Sequence, residues 1–243
     1  MGRLTWLTTE VVEATSETPR VRSLRLRAEG WQGHRAGQHL DLRLTAEDGY
    51  QAQRSYSIAT APTDDLGITV ERLADGEVSP YLVDEVREGD RFEVRGPIGG
   101  YFVWDASDPA PLLLVGGGSG VVPLMSMARH RAAAASSNPT RLLYSSRTLE
   151  DVIYREELDG LAARRDGFEL FHTLTRSQPD GWTGFNRRVD EEILREVAWP
   201  AAEGAQVFVC GSTRFVDSAA DGLVALGYGP QRIKTERFGA TGT

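Results

Sequence analysis

The run Leu112-Leu113-Leu114-Val115 followed by Gly116-Gly117-Gly118-Ser119-Gly120 and Val121-Val122-Pro123 constrains the fold more than any other part of the chain. Four consecutive apolar residues read as a strand buried on both faces, the mark of a parallel sheet. The glycines give a tight turn, and a helical pattern then runs through Arg131. Strand, glycine turn and helix together open a doubly wound sheet, and the free N–H groups at such a helix start attract a diphosphate. The pattern departs from G-x-G-x-x-G, because Pro123 stands at the third glycine position. A glycine-rich turn of this kind also serves purposes other than nucleotide binding.

The remaining pattern after residue 108 supports the same architecture. Strands are expected at Arg141–Ser145, Phe168–Leu174 and Gln206–Val209, alternating with helical stretches near 150–164, 189–196 and 213–226. Residues 132–139 read as a frayed helix end and loop, and Lys234–Gly239 as a short edge strand. The first hundred residues read differently. Short strands at Leu4–Ala14, Val21–Arg27, His39–Leu44, Ala52–Ala59, Gly67–Leu73 and Arg91–Arg95 are separated by turn formers, with one short helix at Val78–Val86. That pattern predicts a small antiparallel barrel. The proline pair Pro109 and Pro111 marks the seam, giving a barrel domain over 1–107 and an α/β domain over 108–243.

Composition narrows the function classes. Cys210 is the only cysteine, which excludes an internal disulfide, a four-cysteine iron–sulfur site or a structural zinc site within these residues. The four histidines show no paired ligand spacing, so no metal centre is expected. Any metal cluster that exchanges electrons with the chain is expected on another polypeptide. The formal charge of −8 disfavours nucleic acid and anionic membranes as partners. No apolar run approaches a membrane span and the N-terminus lacks an apolar signal core, so the expected location is cytoplasmic.

Arg54-Ser55-Tyr56-Ser57 lies on a predicted strand, whose alternation puts Arg54 and Tyr56 on one side. A flavin dinucleotide needs a cation for its phosphates, an aromatic face for its ring and a polar group near N5, and Arg54, Tyr56 and Ser57 are of those types. Gly76-Glu77-Val78-Ser79 opens the predicted helix. Its N–H groups could meet a phosphate, and Ser79 with Pro80 could cap that helix; the two readings are compatible. In the second half, Ser146-Arg147 follows a strand whose carboxyl end faces the adenosine ribose in doubly wound folds. Arginine there favours a 2′-phosphate over a bare 2′-hydroxyl, and Arg176 could join it. Arg155, beside Glu156 and Glu157, reads instead as part of a solvated helix. Cys210-Gly211 ends a strand, where a cysteine is either buried filler or placed at a ligand.

These segments together resemble the ferredoxin–NADP reductase superfamily, specifically its short bacterial flavin and nicotinamide reductases. The likeness spans about residues 5–238. Its landmarks are R-x-Y-S at Arg54–Ser57, G-x-x-S at Gly76–Ser79, G-P-x-G at Gly96–Gly99, G-x-G-x-x-P at Gly118–Pro123, C-G at Cys210–Gly211 and E-x-F at Glu236–Phe238. The resemblance implies an FAD barrel followed by an NAD(P) domain. It implies that Tyr56 packs on the flavin ring, that Ser57 hydrogen-bonds near N5, and that Arg54 and the amides around Val78 and Ser79 bind the diphosphate. It places the backbone around Val70 and Arg72 beside the flavin, Cys210 beside the nicotinamide C4, and Glu236 and Phe238 near the flavin. Ser119 stands where the family commonly has threonine.

Two departures bear on the acceptor. Oxygenase reductases of the family often carry a fused iron–sulfur domain, which this sequence lacks. Plant-type members present lysine-rich docking faces, whereas residues 1–107 carry 12 basic and 18 acidic side chains, and Lys234 is the only lysine. The expectation is an FAD-dependent enzyme that takes hydride from NADPH, or NADH, and delivers electrons to a separate acceptor: a ferredoxin, an oxygenase or another metalloenzyme. The alternatives are a flavin-carrying relay or docking module without nicotinamide turnover, and a diaphorase-like reductase of small quinones or free flavins.

Overall fold

The computed structural model describes residues 4–238. Met1–Arg3, where the N-terminal alternation begins, and Gly239, the last residue of the expected tail strand, lie outside the described residues. The chain divides into two compact units, Met1–Asp105 with Met125–Ala133, and Ala106–Leu124 with Ala134–Thr243.

The first unit is built from β1 (Leu7–Thr18), β2 (Val21–Ala28), β3 (His39–Thr45), β4 (Gln51–Ser57), β5 (Leu66–Glu71) and β6 (Arg91–Ile98). They form an antiparallel sheet in the order β4-β3-β6-β1-β2-β5. An antiparallel bridge between Ile58 and Ile68, with Ala59 N–H donating to Gly67 O at 2.8 Å, joins the two outermost strands and closes the sheet into a barrel. Alternate residues Leu24 and Leu26, Leu40 and Leu42, Ile68 and Val70 fill its interior.

Two elements differ from expectation. β6 continues past Arg95 through Gly96-Pro97-Ile98, because the register shift between His39 and Asp41 accommodates a residue without an N–H donor. Gly96 also packs under Trp31 and Leu40, each 3.1 Å from where a Cβ would stand, closer than an ordinary contact. The helix expected over Val78–Val86 is a short segment centred on one π turn, Tyr81–Glu85, with Val86 N–H donating to Tyr81 O. The Arg22 guanidinium donates to the carbonyls of Val83 (3.2 Å) and Val86 (2.7 Å), capping the turn where a longer helix would continue.

The second unit contains β7 (Leu112–Gly117), α1 (Val121–Ala133), β8 (Thr140–Ser146), α2 (Arg155–Ala163), β9 (Phe168–Leu174), α3 (Glu191–Val197), β10 (Gln206–Gly211), α4 (Thr213–Ala225) and β11 (Ile233–Arg237), except that the latter part of α1 groups with the barrel. All five strands run parallel in the order β11-β10-β7-β8-β9. The helical stretch expected near 150–164 is divided: a 3₁₀ turn at Leu149–Asp151 precedes α2, and Tyr154 between them takes a left-handed conformation (φ 59°). Asp190 caps α3 by accepting from Ile193 N–H at 2.9 Å, and the helix then buries Ile193, Leu194 and Val197 with Val207, Val209 and Val216. Strand order reverses beside β7, which sets the switch point of the fold at the carboxyl ends of β7 and β10. Among the described residues, no helix is long and apolar enough to cross a membrane.

Candidate functional site

At the switch point, a single 3₁₀ turn, Gly118–Gly120, links β7 to α1. Gly118 requires φ of +56°, and Gly120 lies against the end of β10. A Cβ on Gly120 would stand 2.2 Å from Cys210 O and 2.8 Å from Gly211 N, so backbone meets backbone there with room for no side chain. Pro123 occupies the first turn of α1, where N–H groups have no intrahelical acceptor, which explains why proline replaces the third glycine. Ser119 is half-buried in the turn.

Cys210 pairs in register with Gly116 on one side and Glu236 on the other, so its side chain shares a sheet face with that of Glu236. Burial pushes the thiol well above its ordinary value, and the Glu236 charge adds to the effect. Burial likewise pushes the Glu236 carboxyl up to about 7. Phe238 N–H donates to Gly211 O at 3.1 Å, tying the residue after β11 to the end of β10, with its ring exposed.

Ser146 ends β8 with its hydroxyl buried and without a hydrogen-bond partner, while its carbonyl accepts from Thr175 N–H (3.0 Å) and Thr175 Oγ1 (3.2 Å). The next carbonyl, of Arg147, accepts from Arg176 N–H at 2.9 Å. The backbone therefore brings the exposed Arg147 and Arg176 side by side. Arg155 lies at the start of α2 beside Glu156 and Glu157, exposed as expected.

In the barrel, Arg54 and Tyr56 share a face of β4. Burial pushes the Tyr56 phenol upward, opposed by the nearby Arg54 charge. The Arg54 guanidinium donates to Gln53 O (2.6 Å) and lies 3.5 Å from Glu77 Oε2, while the Tyr50 hydroxyl donates to Glu77 Oε1 at 2.5 Å. Ser55 points to the opposite face, where its hydroxyl donates to Asp41 Oδ1 (2.7 Å) and Arg95 donates to Asp41 Oδ2 (2.6 Å). Burial works against the Asp41 charge, but the hydrogen bonds from Arg95 and Ser55 outweigh it and hold the carboxyl below its usual range. Ser57 ends β4 opposite His39.

Val70 and Val78 are buried in the barrel core, so only their backbone groups are available. The Arg72 side chain is paired with Asp84 at 2.7 Å. Ser79 does not cap the π turn: its Oγ accepts from Leu73 N–H at 3.1 Å and pins the loop between them. Gly76 leaves room for this, since a Cβ there would stand 2.7 Å from Ser79 Oγ. Sequence reasoning missed Tyr50, Glu77 and Asp41. An acidic residue inside G-x-x-S was visible, but its pairing with Arg54 depends on the hairpin geometry.

These residues suit the groups expected. A half-exposed guanidinium beside a half-buried tyrosine matches the phosphates and ring of a flavin dinucleotide. The Gly120 cradle and the buried Ser146 hydroxyl match a second dinucleotide on the parallel sheet. Among the described residues, no group of three or more His, Cys, Asp or Glu side chains is placed to hold a metal ion.

Comparison with known proteins identifies the family of each half of the chain. The oxidoreductase FAD-binding domain family matches residues 8–103, and the oxidoreductase NAD-binding domain family matches residues 114–221. The chain is 33% identical over 210 residues to the glycine betaine monooxygenase reductase subunit of Chromohalobacter salexigens, covering 84% of this chain and 56% of that protein. It thus spans about half the length of these reductase subunits. It is 35% identical over 212 residues to ferredoxin–NADP reductase B of Sorangium cellulosum, covering 84% of each. The flavohem-like FAD/NAD binding domain of nitric oxide dioxygenase from Vibrio cholerae superposes with a TM-score of 0.85 at 25% identity, covering 96% of this chain and 98% of that one. With an FAD-binding barrel, an NAD-binding α/β unit and this level of identity to a ferredoxin–NADP reductase, the chain belongs to the ferredoxin–NADP reductase family.

Proposed function

We propose that this chain is an FAD-dependent oxidoreductase that takes hydride from NADPH, or NADH, at flavin N5 and passes electrons to a separate acceptor, a ferredoxin, an oxygenase or another metalloenzyme. The observation that carries this reading is the approach of Gly120 to the Cys210–Gly211 backbone. It gathers a glycine turn, a buried thiol and a buried carboxyl at one switch point, where doubly wound folds bind ligands. The reductase roles named for the relatives support the separate acceptor. Residues 1–107 are read as the flavin domain and 108–243 as the nucleotide domain. A cytoplasmic location is the reading that suits a nicotinamide substrate.

Bound flavin supplies the hydride acceptor and the one-electron carrier. For the protein's own part, Arg54 holds the diphosphate, with amides around Gly76, Val78 and Ser79. Tyr56 covers the ring, flanked by the backbone of Ser55, Val70 and Arg72. Gly118, Ser119, Gly120 and Pro123 shape the nucleotide turn, and Cys210 and Gly211 bound the nicotinamide position. Ser146, Arg147 and Arg176 receive the 2′-phosphate, which favours NADPH. Ser57 and Glu236 hold or move a proton at N5, and Phe238 shields the ring.

The test is anaerobic stopped-flow spectroscopy with NADPH and NADH separately. Bleaching of the flavin band by either nucleotide supports the enzyme. A bound flavin that neither nucleotide reduces refutes it and favours an electron-relay module. Ser57→Ala should slow flavin reduction far more than it weakens FAD binding.

A further inference from the structure

The geometry points to Glu77 as a counter-ion that Arg54 carries before flavin arrives, and to Tyr50 as the anchor that draws this carboxylate away when it does. The inference rests on the reading of Arg54 as a diphosphate ligand. It assigns Glu77 and Tyr50 the part of positioning residues that act through Arg54 and set flavin affinity.

Both anchoring points sit in hydrogen-bonded turns. Tyr50 sits on the β3–β4 hairpin, where Ala46 N–H donates to Tyr50 O (2.8 Å) and Tyr50 N–H donates to Asp48 Oδ1 (2.9 Å). Glu77 sits in the loop that Ser79 pins to Leu73. Between them the carboxylate is shared unequally: 2.5 Å to the Tyr50 hydroxyl and 3.5 Å to the Arg54 guanidinium. A short, charge-assisted hydrogen bond therefore holds it on one side, and a long, half-exposed ion pair on the other.

A dinucleotide diphosphate on Arg54 would bring negative charge beside this carboxylate, and like charges at such distances repel. Flavin binding must then displace Glu77 from the guanidinium. Tyr50 lowers the cost of that displacement, because it already holds the other oxygen and keeps the carboxylate hydrogen-bonded after release. The phenol responds as this arrangement requires: its hydrogen bond to Glu77 pushes its pKa upward.

The consequence is a pair of opposite effects. Removing the charge with Glu77→Gln should tighten FAD binding by about three- to tenfold, the range of one exposed ion pair plus the relieved repulsion. Removing the anchor with Tyr50→Phe should weaken binding by about two- to fivefold, since the carboxylate then has only Arg54 to pair with. The double variant should bind like Glu77→Gln alone. Structural damage weakens cofactor binding, so a gain in affinity is a readout that a purely structural role cannot give.

The experiment is fluorescence-quenching titration of flavin-stripped protein with FAD and, separately, with riboflavin, at low salt and at 1 M salt. Circular dichroism melts confirm that each variant is folded, and Glu77→Ala serves as a second charge-removing variant. The expected result is tighter FAD binding by both Glu77 variants, shrinking at high salt, with no change for riboflavin, which carries no phosphate. Failure of wild type to bind FAD, or Arg54→Ala binding as wild type, would overturn the flavin-site reading itself. FAD affinity of both Glu77 variants equal to or below wild type, with Arg54→Ala impaired, would overturn the counter-ion role and leave the flavin site standing. A Tyr50→Phe effect that persists undiminished in the Glu77→Gln background would overturn the anchor and make Tyr50 a direct flavin contact.

Discussion

Replacing Gly120 by alanine should be the most damaging single-methyl change at the nucleotide turn. The new Cβ would stand 2.2 Å from Cys210 O and 2.5 Å from Cys210 C. A relaxed carbon–oxygen contact is about 3.3 Å, so the turn and strand must part by about 1 Å. The strand cannot yield cheaply, because β10 is laddered to β7 on one side and β11 on the other. Overpacking against such a backbone costs about 3 kcal/mol, or about 6–12 °C in melting temperature for a chain of this size. Gly118→Ala is the internal comparison. It adds a side chain at φ +56° but meets nothing within 4 Å, so only the left-handed conformation is strained, at about 1 kcal/mol. Thermal melts followed by circular dichroism, together with calorimetric titration of adenosine-2′,5′-bisphosphate, measure both consequences. Gly120→Ala should lose stability and most of its nucleotide affinity. If it melts within 2 °C of wild type and binds the bisphosphate normally, or if Gly118→Ala is the more harmful change, the close approach cannot be shaping the site.

Three further outcomes are expected. The Glu236 carboxyl is raised from about 4.5 to about 7 when folded, so the folded state binds the extra proton. Its stability is fully present below pH 4.5 and falls as pH rises through 7, by up to about 3 kcal/mol. Melting temperatures of wild type should therefore drop against those of Glu236→Gln between pH 5 and pH 8; parallel curves would contradict the burial of this group. Cys210 is fully buried and its thiol is held protonated, so a thiol reagent at pH 8 should label it only on unfolding, and rapid labelling of native protein would count against its placement. Arg147→Ala should raise the KM for NADPH by about 10- to 100-fold, the worth of a charge-assisted phosphate contact, with little change for NADH. Equal losses for both nucleotides would remove Arg147 from the 2′-phosphate site.

The architecture was legible because both units follow strong local rules. The all-apolar Leu112–Val115 and the glycine run fix a parallel strand and its turn, and the regular turn formers of the first hundred residues fix an antiparallel barrel. What sequence could not show were relations set by pairing. Ser55 shares its motif with Arg54 and Tyr56, yet alternation turns its hydroxyl to Asp41, a residue that reads as an ordinary strand carboxylate until β3 is laid beside β4. Ser79 has the residue type and near-position of a helix cap, but the turn begins one residue later at Pro80, and the hydroxyl turns back to accept from Leu73 N–H. The nearness of Arg147 and Arg176 arises only where β8 and β9 end together.

The strand order also sets when the nucleotide site comes into being. Strands β7, β8 and β9 can pair as soon as they leave the ribosome, but the wall against which Gly120 rests is the end of β10, and Glu236 belongs to β11, the last strand among the described residues. At about 5–20 residues per second, Gly211 emerges about 5–20 s after Gly120. During that interval the glycine turn has no backbone to close against. A nascent chain arrested before β10 would therefore carry the whole flavin barrel and an unfinished nucleotide site, so flavin capture during synthesis can precede the capacity to bind a nicotinamide.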